Sequence, residues 1–378
     1  MSVAPDRSVC TRCGMPLAYD RFIAGLDGRE VPAATDLCTH CVNPPDPADL
    51  REPEDRGALL DLVFRISRGE EVGELPAELG ELVASVPARR AGAKADAVVL
   101  YSGGKDSSWM LHDLAARDVR VVAWMLDQGY QSPLAIRNAR SLCDKLGVEL
   151  VIARPERDPM NTLFRLGFAM NEEDDPALLR AAMSWGSACW PCFSTILAQA
   201  SVFCLDNAIP LCFVGTHKGQ NRTTAGDSPI VKVDGLTPLD GVVEDQVSLL
   251  RKHAERKAPE AAELLRTGYS GTALVPFYEF VPKPPTERII ADLEAIGWEV
   301  PRNTGSCSTN CMINELGYRI MRNQYGFDIY QIAEAHERRL SPDPAPANIA
   351  VLDEEAIRRG AKLIELTPVE SRRWGVEK

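Results

Sequence analysis

The sequence has no excess of positive charge: 42 Lys and Arg stand against 54 Asp and Glu in 378 residues, a formal charge of −12. A protein that coats nucleic acid through bulk charge carries the opposite balance, so that class is disfavoured. There is no apolar run of about 18 residues free of charge, so no membrane-spanning helix is expected. The opening MSVAPDRSVCTRC lacks a basic segment followed by an apolar stretch. No secretory leader is expected from it, and the cytoplasm is the expected compartment. Internal repeats and a low-complexity tail are also lacking. What is present, 45% hydrophobic and 25% charged residues, is the composition of an ordinary globular chain long enough for two or three structural units.

Cysteine is the residue in surplus. Eleven occur, at 10, 13, 38, 41, 143, 189, 192, 204, 212, 307 and 311, and eight of them form close pairs. An odd total in a reducing compartment argues for metal ligation or thiol chemistry over a disulfide framework. Cys143, Cys204 and Cys212 sit inside apolar patterns and read as small core residues.

Strand-like and helix-like segments alternate through the middle of the chain. The apolar runs at 97–101, 119–126, 148–153 and 210–215 read as strands, with helices at about 107–116, 133–146 and 192–206 between them. That order predicts a parallel sheet with helices on both faces. Ligands of such sheets bind beyond the carboxyl ends of the strands, so the loops after 101, 126 and 214 are expected to converge. Four regions are expected: a cysteine-rich module over 1–45, a helical connector over 46–94, the α/β domain over 95–235, and a mainly helical region over 236–378. Proline-rich VPKPP at 281–285 interrupts the last of these.

The most informative segment follows the first strand: Ser102-Gly103-Gly104-Lys105-Asp106-Ser107. Two glycines let backbone approach an anion, the following helix points N–H groups at it, and Lys105 adds a charge. Together these make a phosphate cradle, although the spacing is not that of the Walker loop. The segment resembles the PP-loop of the ATP pyrophosphatases, a likeness spanning roughly residues 95–220. The resemblance implies an adenine nucleotide alpha-hydrolase-like fold and cleavage of ATP between its α and β phosphates. An acceptor oxygen would be adenylylated and AMP then displaced by a nucleophile. It implies ATP-binding roles for Ser102, Gly103, Gly104, Lys105, Asp106 and Ser107, with Lys105 and Asp106 catalytic and Asp106 placing Mg²⁺. Asp127 in the loop after the second strand, and Gly215 and Lys218 in the loop after the fourth, are expected at the same sheet edge.

The cysteine pairs divide in two. Cys10-x-x-Cys13 and Cys38-x-x-Cys41 suit a tetrahedral Zn²⁺, or second to it iron, in a closed, zinc-ribbon-like site, with His40 a possible substitute ligand. Cys189-Trp-Pro-Cys192 stands at a predicted helix start, where the dipole is expected to favour thiolate. That pair alone suits a redox couple, half a metal site or packing. With a third thiol from Cys307 or Cys311 it resembles the iron–sulfur tRNA thiolation enzymes, where three cysteines hold a [4Fe-4S] cluster and one iron stays open. The wording around 189–196 and 309–327 resembles PP-loop proteins identified as N-acetyl sugar amidotransferases. In their pattern the cysteine before x-x-Asn corresponds to Cys311, with Asn314 as that Asn, whereas Cys307 has no place.

Two reactions share the adenylylation. The first expectation is nitrogen transfer to a small-molecule acceptor such as an N-acetyl sugar. The chain shows no glutaminase module, so ammonia would come from solution or a separate glutaminase subunit. The alternative is sulfur transfer from a cluster, fed by a sulfur donor protein, to a small molecule or tRNA. A nucleotide-binding protein without turnover is the third reading, disfavoured by the intact SGGKDS. A tRNA acceptor would call for a basic face, and only Arg251–Lys257 stands out, which reads as a solvated helix face.

Overall fold

A computed structural model describes residues 8–28, 36–42, 56–216, 218–221, 235–302, 304–305, 310–339 and 351–376. Its centre is a six-stranded sheet in the order β3-β2-β1-β4-β6-β5. The strands are β1 (Ala97–Leu100), β2 (Val121–Leu126), β3 (Glu149–Ala153), β4 (Leu211–Val214), β5 (Thr237–Pro238) and β6 (Ala273–Pro276). All pairings are parallel except β5 with β6. The alternation read from the sequence is borne out, and the fold is α/β with helices on both faces.

The near-continuous apolar strands follow from burial on both sides. Val98, Leu100, Trp124, Leu126, Cys212 and Val214 join one core. Their neighbours Ala97, Val99, Tyr101, Ala123, Met125, Leu211 and Phe213 join the other. Burying each large side chain contributes about 1.5–3 kcal/mol, so these short strands hold the sheet without long ladders. Cys143, Cys204 and Cys212 are core residues, as expected. The connector helix Gly57–Ser67 closes one face, with Phe64 stacked on Phe213 at 5.6 Å.

The last two strands come from a stretch expected to be mainly helical. Their runs, two and four residues long, are too short to show a period, and only pairing with β4 makes β6 a strand. The other regular elements described in that region are helical, including Thr286–Ala295, Asn314–Tyr325, Ile329–Arg339 and Glu354–Leu363. The cysteine-rich module docks on it: Tyr19 meets Phe327 at 5.3 Å and Phe22 meets Tyr325 at 5.4 Å, both edge to face. No helix among the described residues is long and apolar enough to cross a membrane.

This topology fixes where a ligand can sit. The chain leaves β1 toward β2 on one side and returns to β4 on the other, so the crevice between the carboxyl ends of β1 and β4 is the switch point of the sheet.

Candidate functional site

β1 runs into the SGGKDS loop, and the helix Lys105–Ala115 starts inside it. Gly103 has φ +72°, and a Cβ there would lie 2.2 Å from the carbonyl oxygen of Ala135, so only glycine makes this turn. Trp298 Nε1 donates to the Gly103 carbonyl at 3.0 Å, pinning the turn from outside. Within the loop, Ser102 and Ser107 hydroxyls stand 2.9 Å apart, and the Gly104 amide donates to Ser102 Oγ at 3.3 Å. Asp106 lies between two ammonium groups: Lys105 Nζ is 2.5 Å from Oδ2 and Lys283 Nζ is 3.4 Å from Oδ1.

A cleft of about 640 Å³ opens above the switch point. Ser102, Gly104, Lys105, Asp106, Ser107 and Gly215 line it, as do Cys189, Cys192 and Cys311. The loops after β1 and β4 therefore converge as expected. Gly215 is part of that closeness, since a Cβ there would be 3.3 Å from Met110 Cε. From the loop after β2 it is Gln128 and Gln131 that reach the cleft. The Asp127 carboxylate is engaged elsewhere, by Arg154 at 3.0 Å and the Gly129 amide at 3.1 Å, and it does not line the cleft. Gly103 stays behind its turn, and Lys218 opens the short helix Lys218–Asn221 outside the lining, where Gln220 takes the wall position.

Two distant segments bring the three thiols together. Cys189 and Cys192 occupy the first turn of the helix Cys189–Asp206. Cys311 arrives by a short antiparallel pairing with Gln131. Around that bridge the Met312 amide donates to the Tyr130 carbonyl at 2.9 Å and the Ser132 amide to the Asn310 carbonyl at 2.7 Å. The amides of Ile313 and Asn314, at the start of the helix Asn314–Tyr325, approach the Cys311 sulfur, and Gln128 Nε2 donates to Cys192 Sγ at 2.9 Å. Cys307 lies outside the described residues.

One expectation is overturned here. The helix start does not leave Cys189 a ready thiolate. Burial first, then the neighbouring Cys192 and Cys311, pushes its thiol well above the ordinary range. Burial likewise pushes Cys192 up to about 12 and Cys311 up to about 11. Desolvation of a charge outweighs the half-charge of a helix end. These thiols ionise when a cation takes their protons' place.

The other group is built differently. Cys10, Cys13, Cys38 and Cys41 are all buried and their sulfurs lie within 4.8 Å of one another. Cys13 and Cys38 stand 3.6 Å apart, close to the edge of about 3.8 Å that Zn–S bonds of about 2.3 Å give a tetrahedron. Hydrogen bonds from Cys38 and Cys41 lower the Cys13 thiol, and those that Cys41 makes with Cys13 and Cys38 push its own thiol up. Arg339 Nη2 donates to Cys38 Sγ at 3.3 Å and Arg338 Nη1 to the Cys13 carbonyl at 3.1 Å, supplying the counter-charge. Four thiols at this spacing can hold one metal ion.

Sequence reasoning missed several cleft residues. Lys283 sits in what read only as a proline-rich interruption. Thr216 lines the cleft with its buried Oγ1 unpaired among the described residues. The helix Ile329–Arg339 contributes Tyr330, Glu334 and Glu337 to the wall. No signal in the sequence marks Lys283, which lies well beyond the end of β6 and reaches Asp106 only in the fold.

No protein-family model matches the chain, and no curated protein matches it. Among the solved structures that show a distant likeness, two illustrate its level. One is a predicted subunit of tRNA methyltransferase from Methanocaldococcus jannaschii, at 15% identity and TM-score 0.30, covering 62% of this chain and 90% of that one. The other is the U34-tRNA thiolase NcsA from Methanococcus maripaludis with its [4Fe-4S] cluster, at 13% identity and TM-score 0.30, covering 91% of this chain and 92% of that one. Likeness at this level transfers no function, and the residues of the cleft carry the assignment.

Proposed function

We propose that the protein is an ATP-dependent sulfur transferase of the PP-loop type, forming AMP and pyrophosphate. The observation that carries this reading is the lining of one cleft by both the SGGKDS loop and the thiols of Cys189, Cys192 and Cys311. Nitrogen transfer, the first expectation from sequence, has no use for three thiols beside the nucleotide.

The loop amides, Ser102, Ser107 and Lys105 bind the β and γ phosphates, and Asp106 places Mg²⁺ on them. An acceptor oxygen attacks the α phosphorus, the bond to pyrophosphate breaks, and the acceptor is left joined to AMP. Sulfide then attacks the activated carbon, the carbon–oxygen bond breaks, and AMP leaves with the oxygen. The exchange is redox-neutral. Holding pyrophosphate in the loop keeps the first step in line, which is the part of catalysis that positioning supplies.

The three cleft thiols fit a [4Fe-4S] cluster better than a single ion. They are three, from two segments of the chain, where the N-terminal group supplies four. A cubane gives each of three thiolates its own iron corner, whereas a closed single-ion site calls for four protein ligands. When bound, such a cluster supplies an iron without a protein ligand that can carry sulfide. Cys189, Cys192 and Cys311 would hold it, with Gln128 and the 313–314 amides hydrogen-bonded to the thiolates. The N-terminal four cysteines hold Zn²⁺ as a structural ion.

The acceptor is a small molecule supplied with sulfur by a separate donor protein. The net charge and the carboxylates Glu334 and Glu337 on the wall favour it over tRNA. In the helix Ser248–Lys257, Arg251 pairs with Glu255 at 3.1 Å and Lys257 with Glu173 at 3.0 Å, so its cations are partly neutralised.

The test is anaerobic purification with assay of zinc, iron and acid-labile sulfide, then of AMP, pyrophosphate and thiolated product over a panel of acceptors. About four iron per chain, lost in Cys189→Ala and in Cys311→Ala together with product thiolation, is the expected result. A colourless, iron-free protein that amidates an acceptor with full ATP turnover would overturn the reading in favour of nitrogen transfer.

A further inference from the structure

Lys283 lies far from the SGGKDS loop in sequence and at its lip in space. It follows β6 in Val281-Pro282-Lys283-Pro284-Pro285, where three prolines fix the backbone on both sides. Its ammonium is 3.4 Å from Asp106 Oδ1 and 6.0 Å from the centre of the Tyr278 ring. The Tyr278 hydroxyl in turn donates to the Asp106 carbonyl at 2.8 Å, so the same segment grips the loop twice. Lys105 and Lys283 both line the cleft and flank the one carboxylate of Asp106.

We infer that Lys283 is a second pyrophosphate-binding residue, acting with Lys105 as a clamp that Asp106 holds together until nucleotide and metal arrive. This rests on the ATP-cleaving reading above and deepens it. Two ammonium groups on either side of one carboxylate suit a polyanion bound together with a metal ion. The two cations belong to separate segments, so they can take the two phosphates of pyrophosphate from opposite sides. When Mg²⁺ draws the Asp106 carboxylate to itself, both lysines are released to the phosphate oxygens. A carboxylate that stayed between them would repel the anion, so binding of pyrophosphate depends on the metal.

The experiment is calorimetric binding of inorganic pyrophosphate, with and without Mg²⁺, to the full chain and to Lys283→Met, Lys283→Arg, Lys105→Met and Asp106→Asn, each checked for an unchanged melting curve. With Mg²⁺, Lys283→Met should weaken binding about tenfold or more, the scale of a lost charged hydrogen bond, and Lys283→Arg should restore most of it. Without Mg²⁺, Asp106→Asn should bind pyrophosphate more tightly than the natural chain. Lys283→Met binding as the natural chain does, while Lys105→Met binds weakly, would leave the PP-loop reading standing and overturn this inference. No binding of pyrophosphate or ATP by the natural chain would overturn both.

Discussion

The two cysteine groups use the same side chain for opposite ends. In the N-terminal group four buried sulfurs converge within 4.8 Å, from two knuckles of one short module, and an arginine covers them. In the cleft three thiols come from two segments over a hundred residues apart and face an open volume of about 640 Å³. The first geometry saturates a metal with protein ligands and leaves nothing to react. The second leaves a side of any bound group to the cleft and its substrates. Closure separates a structural site from a chemical one.

Exchanging one ligand in each group should break the comparison most visibly. Cys38→Ser is expected to lose zinc and roughly 3 kcal/mol or more of stability, because the module has little core of its own, with chelator titration and a denaturant melt as the measurements. Cys192→Ala should retain zinc and fold while losing its iron and at least about a thousandfold in product thiolation, the scale of removing a reacting group. Equal loss of stability in both variants would mean that the cleft group is structural as well.

The neighbours of each group give a smaller effect. Arg339→Gln removes the cation beside Cys38 and should weaken zinc binding about 10- to 100-fold without touching iron content. Gln128→Leu removes the donor to Cys192 and should lower cluster retention by a similar factor, with zinc unchanged. Metal competition assays on both variants read the two effects independently, and crossed effects would show that the sites are coupled.

The smallest effect is in pH. Without metal, burial holds the Cys192 and Cys311 thiols up at about 12 and about 11, against an unfolded value of about 8.5. A thiol raised on folding stabilises the chain fully below the unfolded value, and that contribution fades as pH rises toward the folded one. Metal-free protein should therefore lose stability from about pH 8.5 upward. Denaturant melts at several pH values should show a flatter alkaline limb in Cys192→Ala, and a limb of unchanged slope would show that the cleft thiols are more solvated than their surroundings imply.

Much of this was legible in the residues. The strands at 97–100, 121–126 and 211–214 are apolar, short and bounded by turn formers, and SGGKDS reads as a cradle from the strand before it and the helix after it. The short strands β5 and β6 were not legible, because two to four residues carry no period. Lys283 was hidden with them. Asp127 shows the converse: an acidic residue in the right loop is drawn away by Arg154, a partner that sequence cannot pair with it. The Cys189 helix start was read correctly, but its effect on the thiol was reversed by burial, which depends on what packs around it.

The sequence by itself determined the first four strands of the sheet, the glycine turn after β1 and the close thiol pairs, because each depends on neighbours within a few residues. Tertiary structure alone decided that Cys311 shares one cleft with the pair at 189 and 192, through its bridge to Gln131. It decided equally that Lys283 stands beside Asp106, and that Arg339 covers the N-terminal sulfurs. These juxtapositions cross more than a hundred residues of chain, and only the packing of the sheet and its helices brings them within reach.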